Sequence, residues 1–178
     1  MATTESIVTA VSDGIYNDML TDDGVAGRVR EGQVAICTAF GNLAVPAGAT
    51  VNGIQMDFEG FATDATFTNP FFAVSNDGGT TFSSFRNNDT APFSTNSGAY
   101  GTDRSGGPAE LWGMSWTPAT ANAVQFKIDF NQNAGAVYFD YVLCRIYYKP
   151  QVSYTSSGDN LVLGDGTIVV NGGTLTIK

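Results

Sequence analysis

The chain of 178 residues contains no histidine. It therefore lacks the usual general base of neutral-pH chemistry, and with it the Ser-His-Asp and Cys-His arrangements of nucleophilic catalysis. Histidine-ligated zinc is excluded for the same reason, and two cysteines alone cannot build a structural zinc site. No glycine-rich phosphate loop lies between a strand and a helix. We expect no enzymatic activity, no cofactor and no bound metal.

Basic residues are also scarce. Eight Lys and Arg stand against 17 Asp and Glu, which gives a formal net charge of −9 at pH 7. They are scattered singly along the chain, apart from Arg28 and Arg30. Nucleic-acid binding requires clustered Lys and Arg to neutralise phosphates, so we expect no nucleic-acid partner.

Long apolar runs are missing as well. No stretch approaches the roughly 18 apolar residues that cross a bilayer, so we expect no membrane partner. The N-terminus lacks a basic region followed by an apolar run, which predicts folding in a cytosol without a secretory signal. The two cysteines, Cys37 and Cys144, lie in apolar strand-like runs. We expect buried free thiols; a disulfide or a reactive thiol is the alternative.

What the chain does contain favours strands and turns. Its 21 Gly, 12 Phe and 7 Tyr accompany abundant Thr, Ser and Asn. Aromatic and β-branched side chains suit a pleated surface, while Gly and Asn suit tight turns. We predict an all-β protein: an antiparallel two-sheet, jelly-roll-like sandwich in residues 1–150, a linker in 151–158, and a short C-terminal seven-residue β repeat, the oligomerisation tail, in 159–178.

Alternation and turn residues place the main strands. In 51–62 and 124–130 apolar and polar residues alternate, which predicts strands with one buried face. The apolar run 136–148 is too aromatic for a helix and is predicted as a central strand, buried on both sides along part of its length. Asn76-Asp77-Gly78-Gly79 predicts a hairpin turn. The residues predicted to face inward are Ile54, Met56, Phe58, Val124, Phe126, Ile128 and Phe130.

The other segments complete about eight strands, the number typical of a jelly roll. Extended segments are predicted in 4–17, 25–29 and 33–40, with a proline-containing connector in 43–49. Residues 86–107 are polar and Gly-rich with little periodicity, which predicts a long exposed loop with a short strand near Tyr100. A loop of that length is more often functional than merely connective.

The tail repeats itself with a seven-residue period, as DNLVLGD, GTIVVNG and GTLTIK. Turn residues recur in step, and two apolar columns coincide. A three-stranded meander fits this register, and so does a triangular prism in which neighbouring chains supply the other faces. The residues of the two columns, which we predict as the oligomer interface, are Leu161, Leu163, Ile168, Val170, Leu175 and Ile177.

Three short strands with one apolar face are marginal alone in water, so the columns must be covered. The chain's own sandwich, identical tails around a symmetry axis, or another protein are the possible covers. Closed symmetry lets one apolar face bury itself without a dedicated partner. We therefore expect a homotrimer with the tail as its axis.

Carboxylates and tryptophans are the remaining candidates for chemistry. Asp57 and Glu59 resemble the carboxylate pair of a glycoside hydrolase, but on a strand they project to the solvent face, where charge is expected anyway. Asp77, Asp129 and Asp140 are candidate calcium ligands, although no EF-hand-like loop is present. Trp112 and Trp116 lie four residues apart and are possible glycan contacts; packing in the core or at its rim is the preferred interpretation.

Three pieces of sequence carry a family resemblance: VNGIQMDFEG after a Pro-Ala-Gly-Ala connector, the hairpin SNDGGTTFSS, and GGPAELWGMSWTP followed by VYFDYVLCRIYY. They resemble a jelly-roll module of structural proteins from tailed bacteriophages, over rather more than half of the chain. The Leu-Trp-Gly-x-x-Trp piece is the most distinctive. Residues 86–107 are longer and more polar than in that module, and the tail is additional.

The resemblance implies a virion component without catalytic residues, made in the host cytoplasm and displayed on the virion surface. We expect a trimeric capsid decoration (cement) protein that binds the major capsid protein or another virion protein. Either the tail or the N-terminal arm from Met1 to Tyr16 would contact the shell. The alternative is a receptor- or glycan-binding module of a tail fibre or baseplate.

Overall fold

The computed structural model describes residues 1–11, 20–22, 24–30, 32–62, 71–86, 101–129, 136–151, 155–157 and 160–162. Every strand pairing found among them is antiparallel, which confirms the predicted all-β class. The elements of these residues are β1 (Ala2–Val11), β2 (Gly27–Arg30), β3 (Val34–Phe40), β4 (Thr50–Ala62), β5 (Phe71–Ser75), β6 (Gly101–Gly106), α1 (Pro118–Asn122), β7 (Gln125–Asp129), β8 (Ala136–Lys149), β9 (Thr155–Ser157) and β10 (Asn160–Val162).

Strands β1 to β8 form a nearly closed sheet in the order β5-β7-β3-β1-β8-β4-β6, with β2 also paired to β8. Strand β1 joins the two halves of this sheet. Its residues 2–7 pair with β8, whereas 8–11 pair with β3 across two register shifts. Such bulges bend a strand and let it leave one sheet for the next. The expected N-terminal arm is thus largely a strand of the sheet.

Aromatic rings fill the space between the two halves. Phe58 of β4 lies 4.7 Å from Phe72 of β5, measured between ring centroids. Phe72 stacks on Phe126 at 5.3 Å, and Phe139 of β8 meets Phe58 edge-on at 6.0 Å. All four side chains are fully buried. Because the rings come from both halves of the sheet, they hold β4 and β8 against β5 and β7. We call the unit formed by β1 to β8 the β body.

The alternation predicted from the sequence is confirmed on both strands that carry it. Ile54, Met56 and Phe58 are fully buried on β4, and Phe126 and Ile128 are fully buried on β7. Val124, just before β7, is buried as well, and Phe130 lies outside the described residues.

Strand β4 also holds an exception to this alternation. Gln55, predicted to face water, is only 3% exposed. Its side-chain nitrogen donates a hydrogen bond to Asp57, and its side-chain oxygen accepts one from the Tyr147 hydroxyl.

The predicted central strand is also confirmed. Strand β8 pairs with β4 along one edge and with β1 and β2 along the other. Its buried face includes Val142, Cys144 and Ile146, while most residues of the opposite face are half-buried rather than enclosed. Cys37 and Cys144 are free and buried, as expected. Burial raises the pKa of both thiols, so neither has the character of a nucleophile.

One short helix goes beyond the predicted elements. Thr117 caps α1, where its hydroxyl accepts from the Thr120 amide and forms a capping box, with Pro118 at the first turn. At the end of α1, the Asn122 amide group pairs with both main-chain polar groups of Val45 and fixes the connector 43–49. Strand β6 begins directly after Tyr100, where a short strand is predicted within the loop 86–107, and it pairs with β4. In the described part of the chain, no helix is long and apolar enough to span a membrane.

Candidate functional site

The segment after β6 folds back onto the start of β4. The Gly107 amide and the Trp112 indole N–H both donate to the Ile54 carbonyl oxygen, at 3.2 and 3.0 Å. The Ile54 amide in turn donates to the Glu110 carbonyl oxygen at 2.9 Å. Gly53 is required here, since a Cβ would collide with the Gly107 carbonyl. The distinctive Leu-Trp-Gly piece is therefore fixed to the β body by main-chain and indole hydrogen bonds.

Trp112 is at the centre of this segment. It is 4% exposed, and its φ of 58° lies in the left-handed region that non-glycine residues seldom adopt. A Glu110 carboxylate oxygen accepts a hydrogen bond from the Trp112 amide at 2.6 Å. The Arg86 guanidinium lies over the indole ring, 5.3 Å from its centroid, and forms an ion pair with Glu110. These contacts hold three side chains in one arrangement.

The ion pair changes the titration of Glu110. Partial burial alone would raise the pKa of its carboxyl group. Hydrogen bonds from Arg86 and from the Trp112 amide outweigh that effect, and the positive charge of Arg86 adds to them, so the pKa is lowered. Glu110 is consequently ionised at neutral pH.

An open groove of about 280 Å³ lies beside this segment. Gly106, Gly107, Pro108 and Ala109 supply its main-chain and apolar surface, and Arg86 and Glu110 supply its charged groups. Both charged side chains are about one-third exposed, at 35% and 32%. The groove thus presents a cationic donor next to an anionic acceptor, beside exposed apolar atoms.

The two tryptophans predicted as possible glycan contacts have different surroundings. Trp112 belongs to the core, in agreement with the preferred packing interpretation. Trp116 is half-buried against that core, and its indole N–H donates to the Leu111 carbonyl at 2.9 Å. Contact of either ring with a glycan stays a prediction, and the groove beside them was not predicted from the sequence.

A second cluster lies further along β4, where three carboxylates meet. Oxygens of Asp22, Glu59 and Asp140 lie within 4.8 Å of one another. A β-bulge places Asp140 near Glu59: Glu59 pairs with Tyr141 and Gly60 with Phe139, which leaves Asp140 as the extra residue. The segment of Asp22 reaches the same place through a bridge between Leu20 and Tyr141. A Cβ at position 60 would collide with the carbonyl oxygen of Tyr138, so the bulge requires glycine.

The environment of this cluster is electrostatically unfavourable to its own charges. Burial, followed by the charges of Asp22 and Asp140, raises the pKa of Glu59. Asp140 is 2% exposed, and both of its oxygens accept from the Gly24 amide at 3.1 Å. Carboxylate oxygens suit a hard cation such as calcium, but this arrangement is also accounted for by the bulge and the Gly24 hydrogen bonds, and we assign no ion.

The other acidic residues considered from the sequence lie apart from this cluster. Asp77 accepts hydrogen bonds from Thr81 and Ser75 within the hairpin turn, and Asp129 lies 3.6 Å from Lys127. Asp57 pairs with Arg145 at 3.3 Å. The three candidate calcium ligands are therefore held separately, and only Asp140 belongs to a cluster.

The predicted oligomer interface lies mostly beyond the described residues. Within the described part, β9 pairs with β10 in a two-stranded sheet, where Leu161 lies opposite Ser156. The predicted linker 151–158 therefore contains a strand. The interface residues outside the described ranges are Leu163, Ile168, Val170, Leu175 and Ile177.

No family model, no curated protein and no solved structure matches the chain.

Proposed function

We propose that this chain is a non-enzymatic structural protein of a bacteriophage virion, a capsid decoration protein with a jelly-roll-like body that assembles as a homotrimer through its tail. The observation that carries the proposal is the seven-residue repeat, in which six aliphatic side chains recur in two columns. Where the structure describes the end of the linker and the start of the tail, β9 and β10 form a sheet separate from that of the β body.

The energetics of the tail favour self-association. Burying an aliphatic side chain contributes roughly 1.5–3 kcal/mol, so leaving the six side chains of the two columns in water would be strongly unfavourable. A short ribbon of two or three strands cannot cover such a face by itself. Three copies around one axis would bury the same face from each chain, with no dedicated partner required.

The β body is suited to a mechanical role. Its core is filled by interlocking aromatic rings from both halves of the sheet, and β1 ties the halves together through main-chain pairing. A decoration protein acts by docking across neighbouring shell subunits, where the added buried area resists internal pressure. Since β1 is hydrogen-bonded into the body, we assign the shell contact to the tail side of the trimer.

Co-sedimentation with capsids tests this function. The full chain, incubated with undecorated capsids of the phage that encodes it, is expected to pellet with them and to raise their melting temperature. The double variant Ile168→Asp, Leu175→Asp places charge in one apolar column and should abolish pelleting. The matched control Thr167→Asp, Thr174→Asp adds the same charge next to the columns and should pellet normally. A wild-type chain that stays in the supernatant would refute the decoration role.

A further inference from the structure

The groove beside Arg86 has no role in the structural function proposed above. We propose that it is a binding site for one neutral sugar unit of a surface glycan, with Arg86 and Glu110 as the residues that recognise its hydroxyl groups. Decoration of a capsid does not require this activity, so the two proposals stand independently.

The charges of the groove select a neutral, hydroxyl-rich ligand. Arg86 presents a planar fork of N–H donors, and ionised Glu110 presents acceptor oxygens beside it. Neighbouring hydroxyls of a sugar can accept from the first and donate to the second, and hydrogen bonds to charged groups are the stronger kind. An anionic ligand is disfavoured, since Glu110 already neutralises Arg86 and the chain carries a net charge of −9.

The site is organised before any ligand arrives. The main chain of Arg86 forms two hydrogen bonds with Phe72, at 2.7 and 2.8 Å. Its guanidinium is held between the Trp112 ring and the Glu110 carboxylate. Trp112 is in turn anchored to Ile54. Because both recognition groups are fixed by contacts within the protein, binding loses little side-chain freedom.

The size and surface of the groove fit a single ring. Ligand pockets typically measure about 300–1,000 Å³. At about 280 Å³ this groove is slightly smaller than that range, which suits one pyranose unit rather than a long oligosaccharide. Pro108 and Ala109 are exposed at its surface and offer apolar atoms to the C–H face of a sugar. The opposite, hydroxyl-bearing edge of the ring would then meet Arg86 and Glu110.

An array of neutral and charged oligosaccharides, probed with the full chain, tests the proposal. We expect binding to neutral glycans, and solution titration of the strongest of them should give a measurable dissociation constant. The variant Ala109→Trp fills the groove from an exposed position and should weaken that affinity by at least about tenfold. Glu110→Gln, which removes the anionic acceptor, should weaken it by a similar factor. The control Glu5→Gln alters the surface ion pair with Arg145 and should bind like the wild type.

Folding and assembly are monitored in the same samples. Circular dichroism should be unchanged in Ala109→Trp, and the tail variant Ile168→Asp, Leu175→Asp should retain the wild-type affinity per site. An array without neutral ligands, binding restricted to charged glycans, or an Ala109→Trp variant with wild-type affinity would each overturn the sugar site. None of these outcomes affects the test with capsids.

Discussion

The β body and the tail use the same alternation of apolar residues in opposite ways. In the body, alternation on β4 and β7 directs Phe58 and Phe126 into a shared core, where Phe72 lies between them. In the tail, the columns are equally regular in sequence, but where the structure describes its first residues, β10 pairs with β9 of the linker, and Leu161 lies opposite a serine. The body thus meets its own need for burial, whereas we propose that the columns of the tail are buried by other chains.

This difference separates stability from assembly. A protein whose core is complete within one chain should fold as a unit whether or not its copies associate. Changes to the body should therefore alter the free energy of unfolding and leave the molar mass of the folded protein unchanged. Changes to the tail should lower the molar mass of the folded protein and leave its free energy of unfolding unchanged.

The core variant Phe72→Ala should have the largest effect. Phe72 is fully buried between two other rings, and truncating a buried phenylalanine typically costs about 3–5 kcal/mol. Chemical denaturation measures the loss, while sedimentation of the folded fraction should give the same mass as the wild type. Phe85→Ala, at a ring that is 47% exposed, is the control and should cost much less. If Phe72→Ala lost assembly but kept its stability, the separation of stability from assembly would be contradicted.

The bulge variant Gly60→Ala should have a smaller but clear effect. A Cβ at this position meets the Tyr138 carbonyl, so β8 must shift, and overpacking of this kind costs roughly 1–3 kcal/mol. Denaturation midpoints measure the change. Gly107→Ala is the control, because open space surrounds that position. Equal midpoints for the two variants would show that the bulge adapts freely.

Two charge-neutralising variants should differ in their effect on the free energy of unfolding. Glu110→Gln weakens the ion pair with Arg86 and should cost up to about 1 kcal/mol, as for other partly exposed pairs. Glu59→Gln removes one of three like charges and should leave stability unchanged or raise it slightly. Urea denaturation at neutral pH, in the presence of a chelator, compares them. Destabilisation by Glu59→Gln that matches Glu110→Gln would contradict the electrostatic account of the cluster.

The turn that contains Asp77 should show the smallest effect, a dependence of the free energy of unfolding on pH. Hydrogen bonds from the amide and hydroxyl of Thr81, and then from Ser75, lower the pKa of Asp77 from 3.8 to about 2. Because the folded-state pKa is the lower one, the stabilisation is present above pH 3.8 and is lost as the pH falls through about 2. Titration of the Asp77 carboxyl by NMR checks this value. A midpoint near 4 would show that the turn does not hold the carboxylate.

Features that depend on residues close together in the sequence were easier to predict than features that depend on distant ones. Alternation on β4 and β7 and the turn at Asp77-Gly78 depend on neighbouring residues, and they were predicted correctly. The helix α1 was missed even though its capping residues, Thr117 and Thr120, are visible in the sequence; five residues are too few to show a helical period.

The sites depend on contacts between distant segments, and these were beyond prediction. Gly60 is a local sign of the bulge beside Asp140, but no local pattern in the sequence shows that Asp22 lies next to it. The groove forms because Arg86 and Glu110 are brought together by the return of the chain to Ile54. Their pairing cannot be deduced from residue type or spacing alone.

The molar mass of the full chain at equilibrium is the most direct test of the central claim. Sedimentation equilibrium across a concentration series should give three times the 18.7 kDa of one chain. The double variant Ile168→Asp, Leu175→Asp should give a folded species of one chain, with the circular dichroism spectrum of the β body retained. A wild-type protein that remains a single chain at all concentrations would contradict the account.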